Sequence, residues 1–187
     1  MGWAGFQELY SRRDRFNIRL LARDSRKNRK LLAPYADDPS VCIVWGDLMD
    51  YEDVLKGVTG SDYVLHVGGM VSPAADYFPE KTLKVNVTSA ENVVKAILAQ
   101  PAPEHIKAVY IGSVAQYGDR NPPHHWGSAD DPQRPAAFDM YALSKIRSEE
   151  VFAKAGLKNW VSLRQSGILY PGILSVVNPT AFHVPMG

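Results

Sequence analysis

Two side chains suited to proton transfer stand one helical turn apart, Tyr141 and Lys145 in the segment DMYALSKIRSEE. On a helix, residues four positions apart lie one above the other on the same face. A free phenol titrates at about pH 10 and is a poor proton carrier at neutral pH. A neighbouring ammonium stabilises the phenolate and moves this titration toward neutral pH, which suits general acid–base catalysis. The pattern predicts a proton-transfer pair, although taken alone the same spacing is more often an ordinary helix surface.

A hydroxyl that can bind a substrate oxygen precedes this pair. Ser113 follows the apolar run 106–111, which we interpret as a β-strand, and the sequence from it reads SVAQYGD. Open α/β sheets bind their ligands at the carboxyl ends of parallel strands. We therefore expect the Ser113 hydroxyl to hold a substrate oxygen while Tyr141 exchanges a proton with it. No acidic pair, such as a dehydratase would need, stands beside Ser113 in the sequence.

The elements that must position these residues alternate along the chain. Apolar runs of strand length are followed by longer segments of helical period, and the runs are mostly continuous, as in parallel strands covered on both faces. This order predicts βαβ units in an α/β fold with a doubly wound parallel sheet. The predicted strands are 16–22, 41–45, 63–67, 106–111 and 160–163, and the predicted helices are 51–57, 83–100 and 140–155.

Composition argues against several classes of protein. The 187 residues carry 21 Lys and Arg against 20 Asp and Glu, so a net charge of +1 gives no support to nucleic-acid or membrane-surface binding. Cys42 is the single cysteine, which excludes an internal disulfide and a multi-cysteine zinc site. The adjacent His124 and His125 lack a placed third ligand, so we expect no metal site. No apolar run is long enough to span a membrane, and we expect a cytoplasmic protein.

Several short motifs occur in a fixed order over residues 2–172. They are Gly46-Asp47-Leu48, His66-Val67-Gly68-Gly69, Asn86 in VNVTSAEN, Ser113 with Gln116-Tyr117-Gly118-Asp119, Tyr141 with Lys145, and LRQSGILYPG around Arg164. Each motif is weak alone. In this order they resemble the extended short-chain dehydrogenases/reductases of the NAD(P)-dependent epimerase/dehydratase family.

The resemblance implies a Rossmann-like fold and a role for each matching residue. Tyr141 is then the proton donor or acceptor, Lys145 holds the nicotinamide ribose and tunes Tyr141, and Ser113 orients the substrate oxygen. Asn86 is a structural residue in that family. The remaining cofactor-binding residues that the resemblance implies are Asp47 and Leu48 at the adenine and Val67, Gly68 and Gly69 against the cofactor.

The start of the chain departs from the family pattern. The family's glycine-rich turn follows a first strand and brings backbone N–H groups against the pyrophosphate. Gly2 and Gly5 can be its first two glycines, with Glu8 in the third place, or Gly2 can be its third glycine. We prefer the second alignment, which makes Gly2 a cofactor-binding residue, and in both alignments the first strand is absent. We therefore expect 1–175 to be an incomplete Rossmann-like domain and 176–187 to begin a truncated substrate lobe.

Two expectations follow from this departure. The chain should bind a dinucleotide weakly or not at all, because most of the phosphate cradle is missing. A sheet without its central strand leaves two neighbouring strands with unpaired edges, unless they pair directly or with another chain. We therefore expect the isolated chain to be marginally stable or to self-associate, for example as a homodimer.

The choice between NAD and NADP depends on the residues after the second family strand. NAD-dependent enzymes usually place an acidic residue there for the ribose hydroxyls. Here Arg23 and Arg26 can pair with a 2′-phosphate, which favours NADP. Asp24 leaves NAD possible, and a solvated basic surface is the alternative explanation for the two arginines.

Together the residues predict an NAD(P)-dependent oxidoreductase, epimerase or dehydratase that acts on a carbonyl or alcohol, for example of a nucleotide sugar. His124, His125 and Trp126 lie in a Pro-rich segment that can shape the pocket for this small-molecule substrate. The alternative is a non-catalytic dinucleotide-sensing or interaction module, or an inactive truncated fragment. We also expect His66 to pack near the cofactor or the core and Cys42 to be a core thiol.

Overall fold

Short parallel strands and α-helices alternate along the chain. The computed structural model describes residues 1–119, 123 and 127–168. The helices are α1 Gly2–Ser11, α2 Arg26–Leu32, α3 Tyr51–Val58, α4 Ala74–Tyr77, α5 Pro79–Leu98 and α6 Met140–Lys154, and the strands are β1 Ile18–Ala22, β2 Val41–Trp45, β3 Tyr63–His66, β4 Lys107–Ser113 and β5 Trp160–Gln165. Short 3-10 helices occupy Ala33–Tyr35, Pro103–His105 and Val114–Tyr117.

Side-chain caps fix where three of the helices begin. The Asp139 carboxylate accepts the backbone N–H of Ala142 at 2.8 Å at the start of α6, and the Asp50 carboxylate caps α3 in the same way. The Ser25 hydroxyl accepts from the N–H of Asn28 and starts α2. These short polar side chains satisfy N–H groups that the first helical turn leaves without a partner.

The strands form two separate parallel sheets. β1 pairs with β2, and β3, β4 and β5 form a second sheet with β4 at its centre. Within the described ranges, β1 and β3 do not pair with one another, so each has an edge to which no strand is hydrogen-bonded. Helix α3 packs against β1 and β2 and also against α5, so it connects the two sheets.

Among the residues described, helices cover both faces of the β1–β2 sheet but only one face of the β3–β5 sheet. α1 and α2 bury one face of the β1–β2 sheet around Phe6, Ile18 and Leu32. α3, α5 and α6 form the larger core on the other side, against β4 and around Phe152. The predicted α/β fold with parallel strands is confirmed.

The face of the β3–β5 sheet that points away from α5 and α6 is open. Tyr63 and Leu65 of β3 and Val161 and Leu163 of β5 are each about half exposed, between 47% and 56%. The register places Leu65 and Val161 on either side of Val109 in one row across the sheet. This apolar surface has no covering helix among the residues described.

Some predictions need correction. α2 was not expected from the basic run after β1, and it forms because Ser25 caps it and Leu32 is buried. Cys42 is exposed and is not a core thiol, because alternation along β2 turns it away from buried Val41.

The segment 176–187 lies outside the described residues. Across the part that is described, no helix is long and apolar enough to cross a membrane.

Candidate functional site

Helix α6 carries Tyr141 and Lys145 past the carboxyl end of β4. The Lys145 ammonium donates to the backbone carbonyl of Ile111 at 2.8 Å, and its Nζ lies 5.8 Å from the centroid of the Tyr141 ring. The phenol of Tyr110 donates to the Lys145 carbonyl at 3.1 Å. These contacts hold α6 to β4 and place both predicted side chains at the end of the central strand.

Ser113 is the last residue of β4 and is buried. Its backbone N–H donates to the Gln116 side-chain oxygen at 2.8 Å, and its hydroxyl oxygen accepts from the N–H of Ala115 at 3.2 Å. The hydroxyl proton is not used in that bond, and Ser113 lies close enough to the Tyr141 phenol to act on its pKa. The structure thus brings together Ser113, Tyr141 and Lys145, the three residues predicted to be catalytic.

The protonation of this trio differs from the sequence-based expectation. Burial raises the pKa of Tyr141 above its ordinary value, even though the hydrogen bond with Ser113 acts in the opposite direction. Burial lowers the pKa of Lys145 to about 8. The phenol pKa is not lowered because desolvation disfavours the phenolate and the lysine ammonium is directed to the Ile111 carbonyl. In this state Tyr141 is protonated at neutral pH, as a proton donor must be.

Three predicted cofactor-binding segments follow β1, β2 and β3. Arg23, just after β1, lies 3.5 Å from the carboxylate of Asp47, just after β2. Leu48 packs so closely on Gly68 that a Cβ at that glycine would stand 2.3 Å from the leucine Cδ1. These segments therefore meet at the carboxyl ends of neighbouring strands, where α/β sheets bind ligands.

Asn86 on α5 fixes the loop after β3. Its side-chain oxygen accepts from the N–H of Met70 at 2.7 Å, and its amide nitrogen donates to the Met70 carbonyl at 3.0 Å and the Ser144 hydroxyl at 2.8 Å. A Cβ at Gly69 would stand 2.9 Å from the Asn86 oxygen, so glycine permits this approach. Asn86 therefore ties the segment Val67–Gly69 to helix α6, one turn from Tyr141.

The other predicted cofactor residues are on the surface. Gly2 begins α1, and no atom lies within 4 Å of the position that a Cβ would take there, so the structure gives no reason for glycine. Arg26 is exposed at the first residue of α2. Asp24 is bound by Arg29, whose Nε and terminal nitrogen donate to its two oxygens at 2.6 and 2.8 Å.

Predicted cofactor-binding residues lie both at the ends of β1 and β2 and at the end of β4. Arg23, Asp47 and Leu48 would hold the adenosine end, and Lys145 with Tyr141 would adjoin the nicotinamide end. At Gly2, the one residue predicted to contact the pyrophosphate, no atom of the described chain lies within 4 Å of a Cβ position. His124, His125 and Trp126 lie outside the described residues. Within those residues no three His, Cys, Asp or Glu side chains gather in a metal-binding cluster.

Sequence reasoning missed a buried polar network next to Ser113. Glu149, two turns after Tyr141 on α6, binds Gln116 and Arg164, and Gln116 in turn binds Ser113. The motif residues Gln116 and Arg164 were noticed, but their partner was not. One signal was available, because a glutamate one turn beyond Lys145 lies on the same helix face as Tyr141 and Lys145.

His66 ends β3 within the core, as expected. Its ring stacks on Phe152 with centroids 6.1 Å apart, and its Nε2 lies 3.4 Å from the Ser89 hydroxyl oxygen. Burial, with a smaller contribution from the Lys145 charge, lowers the pKa of His66 to about 4. The ring is therefore neutral at physiological pH and serves packing.

A family model agrees with this arrangement. Residues 7–166 match the model described as the NAD dependent epimerase/dehydratase family. The match runs from α1 to the end of β5 and includes Ser113, Tyr141, Lys145 and Arg164.

Curated proteins of two activities are similar to the chain. The UDP-glucose 4-epimerase of Rickettsia massiliae (strain Mtu5) is 28% identical over 99 residues, which are 50% of this chain and 29% of the epimerase. The 3 beta-hydroxysteroid dehydrogenase type 7 of Rattus norvegicus is 28% identical over 146 residues, covering 77% of this chain and 42% of the dehydrogenase. The chain thus spans less than half the length of these relatives.

Solved structures share the fold. The UDP-glucose 4-epimerase of Thermus thermophilus in complex with NAD matches with a TM-score of 0.62 at 23% identity, over 85% of this chain and 49% of that one. RMD from Pseudomonas aeruginosa complexed with NADPH matches with a TM-score of 0.61 at 20% identity, over 81% and 54%. These likenesses confirm the predicted Rossmann-like fold.

Proposed function

The chain belongs to the NAD dependent epimerase/dehydratase family, and from this we propose that it serves as the dinucleotide-binding and proton-transfer part of an NAD(P)-dependent oxidoreductase, epimerase or dehydratase. We propose a nucleotide sugar as substrate, reacting at a hydroxyl or carbonyl carbon. This class is supported by the names of its relatives, several of which are UDP-glucose 4-epimerases.

One observation carries the proposal. A tyrosine phenol, a lysine ammonium and a serine hydroxyl meet at the carboxyl end of the central strand β4. A ligand oxygen placed there can bond to Ser113 and Tyr141 at once. General acid–base catalysis by a positioned side chain is worth about 10² to 10⁴-fold in rate.

Each side chain then has a distinct task. Ser113 holds the substrate oxygen, and Tyr141 gives its proton to that oxygen or takes one from it. Lys145, whose pKa of about 8 leaves it mostly charged at neutral pH, lies beside the phenol and stabilises the phenolate left after proton donation. A bound nicotinamide dinucleotide supplies hydride transfer at the substrate carbon.

We propose NADP as the preferred cofactor, with NAD as the alternative. Arg23 and Arg26 are exposed at the carboxyl end of β1, where they can bind a 2′-phosphate. Asp24, the residue that would favour NAD, is engaged by Arg29 through two hydrogen bonds. This engagement supports the basic residues as the ones that contact the ribose.

The decisive experiment compares Tyr141→Phe with Tyr63→Phe, a half-exposed tyrosine on the open sheet face. The chain is incubated with NAD or NADP and UDP-galactose, and interconversion to UDP-glucose and cofactor reduction are followed. We expect Tyr141→Phe to lower turnover by about 10² to 10⁴-fold and to leave cofactor affinity nearly unchanged. Tyr63→Phe should match the unaltered chain.

Measurable turnover that is equal in both variants would contradict the catalytic assignment. Dinucleotide binding without turnover in the unaltered chain would favour a dinucleotide-sensing or interaction module instead. Absence of both binding and turnover would favour an inactive fragment.

We further propose that the chain self-associates and acts in the cytoplasm. Self-association is supported by two features of the described residues, because open strand edges and apolar faces attract other chains. These are the unpaired edges of β1 and β3 and the exposed apolar side chains of Leu65, Val161 and Leu163. Gel filtration at increasing concentration should give an apparent mass above that of a monomer. A compact, monodisperse monomer would count against self-association.

A further inference from the structure

Glu149 is a buried carboxylate with an unusually full set of donors. It lies on α6 one turn beyond Lys145, and both of its oxygens accept hydrogen bonds. Oε2 accepts from Ser162 at 2.7 Å, Gln116 at 2.9 Å and Arg164 Nε at 3.0 Å, and Oε1 accepts from Gln133 at 3.2 Å and from a terminal nitrogen of Arg164.

Gln116 transmits this arrangement to Ser113. Its side chain is completely buried, its amide nitrogen donates to Glu149, and its oxygen accepts the Ser113 N–H at 2.8 Å. Rotating the amide by half a turn would direct its NH₂ group at the Ser113 N–H and its oxygen at the carboxylate. Both contacts would then be repulsive, so the Glu149 carboxylate fixes which way Gln116 faces.

Strand β4 has a glycine, Gly112, at the position where Gln116 packs on it. A Cβ at Gly112 would lie 2.7 Å from the Gln116 side-chain oxygen and 2.9 Å from both Ser162 Oγ and Arg164 Cγ. The residue before Ser113 must therefore be glycine for the three partners of Glu149 to meet over β4.

Arg164 extends the network to the segment that precedes α6. It donates to the Ala129 carbonyl at 2.7 Å and to the hydroxyl of Tyr117, which itself donates to the Ala129 carbonyl at 2.9 Å. Glu149 therefore connects the end of β4, the end of β5 and the segment around Ala129.

The carboxylate stays ionised in this place. Burial acts to raise the pKa of Glu149, but the hydrogen bonds from Arg164, Gln116 and Ser162 outweigh it, and the pKa lies below the ordinary glutamate value. A charged acceptor holds its donors more strongly than a neutral one. The network therefore keeps its geometry across the neutral pH range.

We propose that Glu149 is a positioning residue for the reaction, which acts through Gln116 to hold Ser113 where its hydroxyl meets the Tyr141 phenol and the substrate oxygen. This inference rests on the proposed function, because it gives the Ser113 hydroxyl a substrate to hold. It adds a residue that touches neither substrate nor cofactor and whose effect passes through one amide side chain.

The test pairs Glu149→Gln with Glu150→Gln on the same helix. Glu150 is partly exposed and pairs with Arg147 and Lys154 at the surface, so its replacement controls for loss of one negative charge on α6. A third variant, Gln116→Met, breaks the connection to Ser113 while leaving the Glu149–Arg164 pair in place. It keeps the test decisive should Glu149→Gln fail to fold.

The first measurement needs no activity. Amide hydrogen exchange at Ser113, followed by NMR in the full chain, reports the bond from its N–H to Gln116. We expect exchange at Ser113 to accelerate at least about tenfold in Glu149→Gln and in Gln116→Met, and to remain unchanged in Glu150→Gln.

The second measurement is a double-mutant cycle in turnover of UDP-galactose. Glu149→Gln should lower kcat by about tenfold to a hundredfold, with a smaller change in KM, because a displaced hydroxyl misplaces the substrate oxygen. In a Ser113→Ala background the same change should have little further effect, since there is no hydroxyl left to position. If Glu149 only stabilised the fold, Glu149→Gln would lower kcat by the same factor with and without the Ser113 hydroxyl, so the effects of the two substitutions would multiply.

The outcomes separate this inference from the proposed function. Unchanged exchange at Ser113, or multiplicative effects in the cycle, overturns the role of Glu149 even if Tyr141→Phe abolishes turnover. Faster exchange at Ser113 together with full turnover in Tyr141→Phe overturns the proposed catalysis, and leaves Glu149 as the residue that positions Ser113.

Discussion

The two sheets of the molecule differ in whether the ionisable side chains around them are exposed or buried. Around the β1–β2 sheet the ionisable side chains lie at the surface, as in the Asp24–Arg29 pair, and the core is an aromatic cluster in which Phe6 meets Tyr35 edge to face at 4.8 Å. Behind the β3–β5 sheet, His66, Lys145 and Glu149 are buried.

This difference separates a stabilising part from a part suited to chemistry. Burying an ionisable group costs free energy unless its partners compensate, and only Glu149 has a full set of partners. His66 and Lys145 keep lowered pKa values of about 4 and about 8, because burial disfavours their charged forms. The β3–β5 part therefore gives up some stability at the residues around its site.

Removing a buried aromatic ring from either core should cause the largest loss in the free energy of unfolding. Phe152→Ala removes a ring with no exposed surface that packs against Tyr110 at 5.2 Å and Trp160 at 5.8 Å, and we expect a loss of about 3 to 5 kcal/mol. Phe6→Ala should cost about 2 to 3 kcal/mol, because Trp3 beside it is partly exposed and water can enter the space. Urea unfolding gives both values. A larger loss for Phe6→Ala would reverse the comparison.

The buried histidine should make the fold sensitive to acid. Its pKa of about 4 in the folded chain lies below the ordinary value of about 6.5, so between these pH values the unfolded chain binds more protons. Stability should therefore fall by roughly 3 kcal/mol as the pH falls from about 6.5 to about 4. In His66→Phe this loss should disappear, and Ser89 keeps its bond to the Asn86 carbonyl. Parallel pH profiles of the two chains would contradict the prediction.

Replacing the buried lysine should stabilise the fold while removing function. The Lys145 pKa of about 8, against about 10.4 in an unfolded chain, corresponds to roughly 3 kcal/mol, from which the lost bond to Ile111 removes about 1 kcal/mol. We expect Lys145→Met to gain about 2 kcal/mol at pH 7. The gain should shrink between about pH 8 and pH 10.4, where the unfolded chain binds more protons and the unaltered fold gains stability. Urea unfolding across this range checks the sign.

The smallest effect belongs to the surface charges after β1. Arg26→Gln should weaken NADPH binding by about tenfold and leave NADH binding unchanged, because only the former carries a 2′-phosphate. Arg12→Gln, which removes an exposed arginine paired with Glu8 on α1, is the control. Fluorescence titration with both cofactors measures the ratio. If Arg26→Gln weakened NADPH and NADH binding equally, Arg26 would attract anions in general and would not recognise the 2′-phosphate.

Much of the fold was predictable because its signals are local. The β-branched run of β2 gives a strand at 41–45 as predicted, and α6 is bounded by its Asp139 cap and by Gly156, whose φ is +72°. α2 was missed because RKNRKLL lacks an apolar period, and its stability comes from the Ser25 cap and one buried leucine. The division of the described strands into two sheets had no local signal of its own, since it depends on which strand edges pair.

The candidate site was predictable only in part. Residues four apart on one helix, such as Tyr141 and Lys145, are adjacent whatever surrounds them, whereas the partners of Glu149 are 33 and 15 residues away along the chain. Their meeting depends on how β4, β5 and α6 pack. The direction of the Tyr141 pKa shift could likewise not be predicted from residue spacing, because burial sets it.

Helix α3 carries a mechanical consequence of the divided sheet. It packs against β1, β2 and α5, so it connects two sheets that are not joined by backbone hydrogen bonds among the described strands. The buried residues Val54 and Val58 of α3 therefore contribute to whether the two sheets unfold in one thermal transition or in two. Loosening that fit would uncouple the β1–β2 sheet, which carries Arg23 at its end, from the β3–β5 sheet, which carries Ser113.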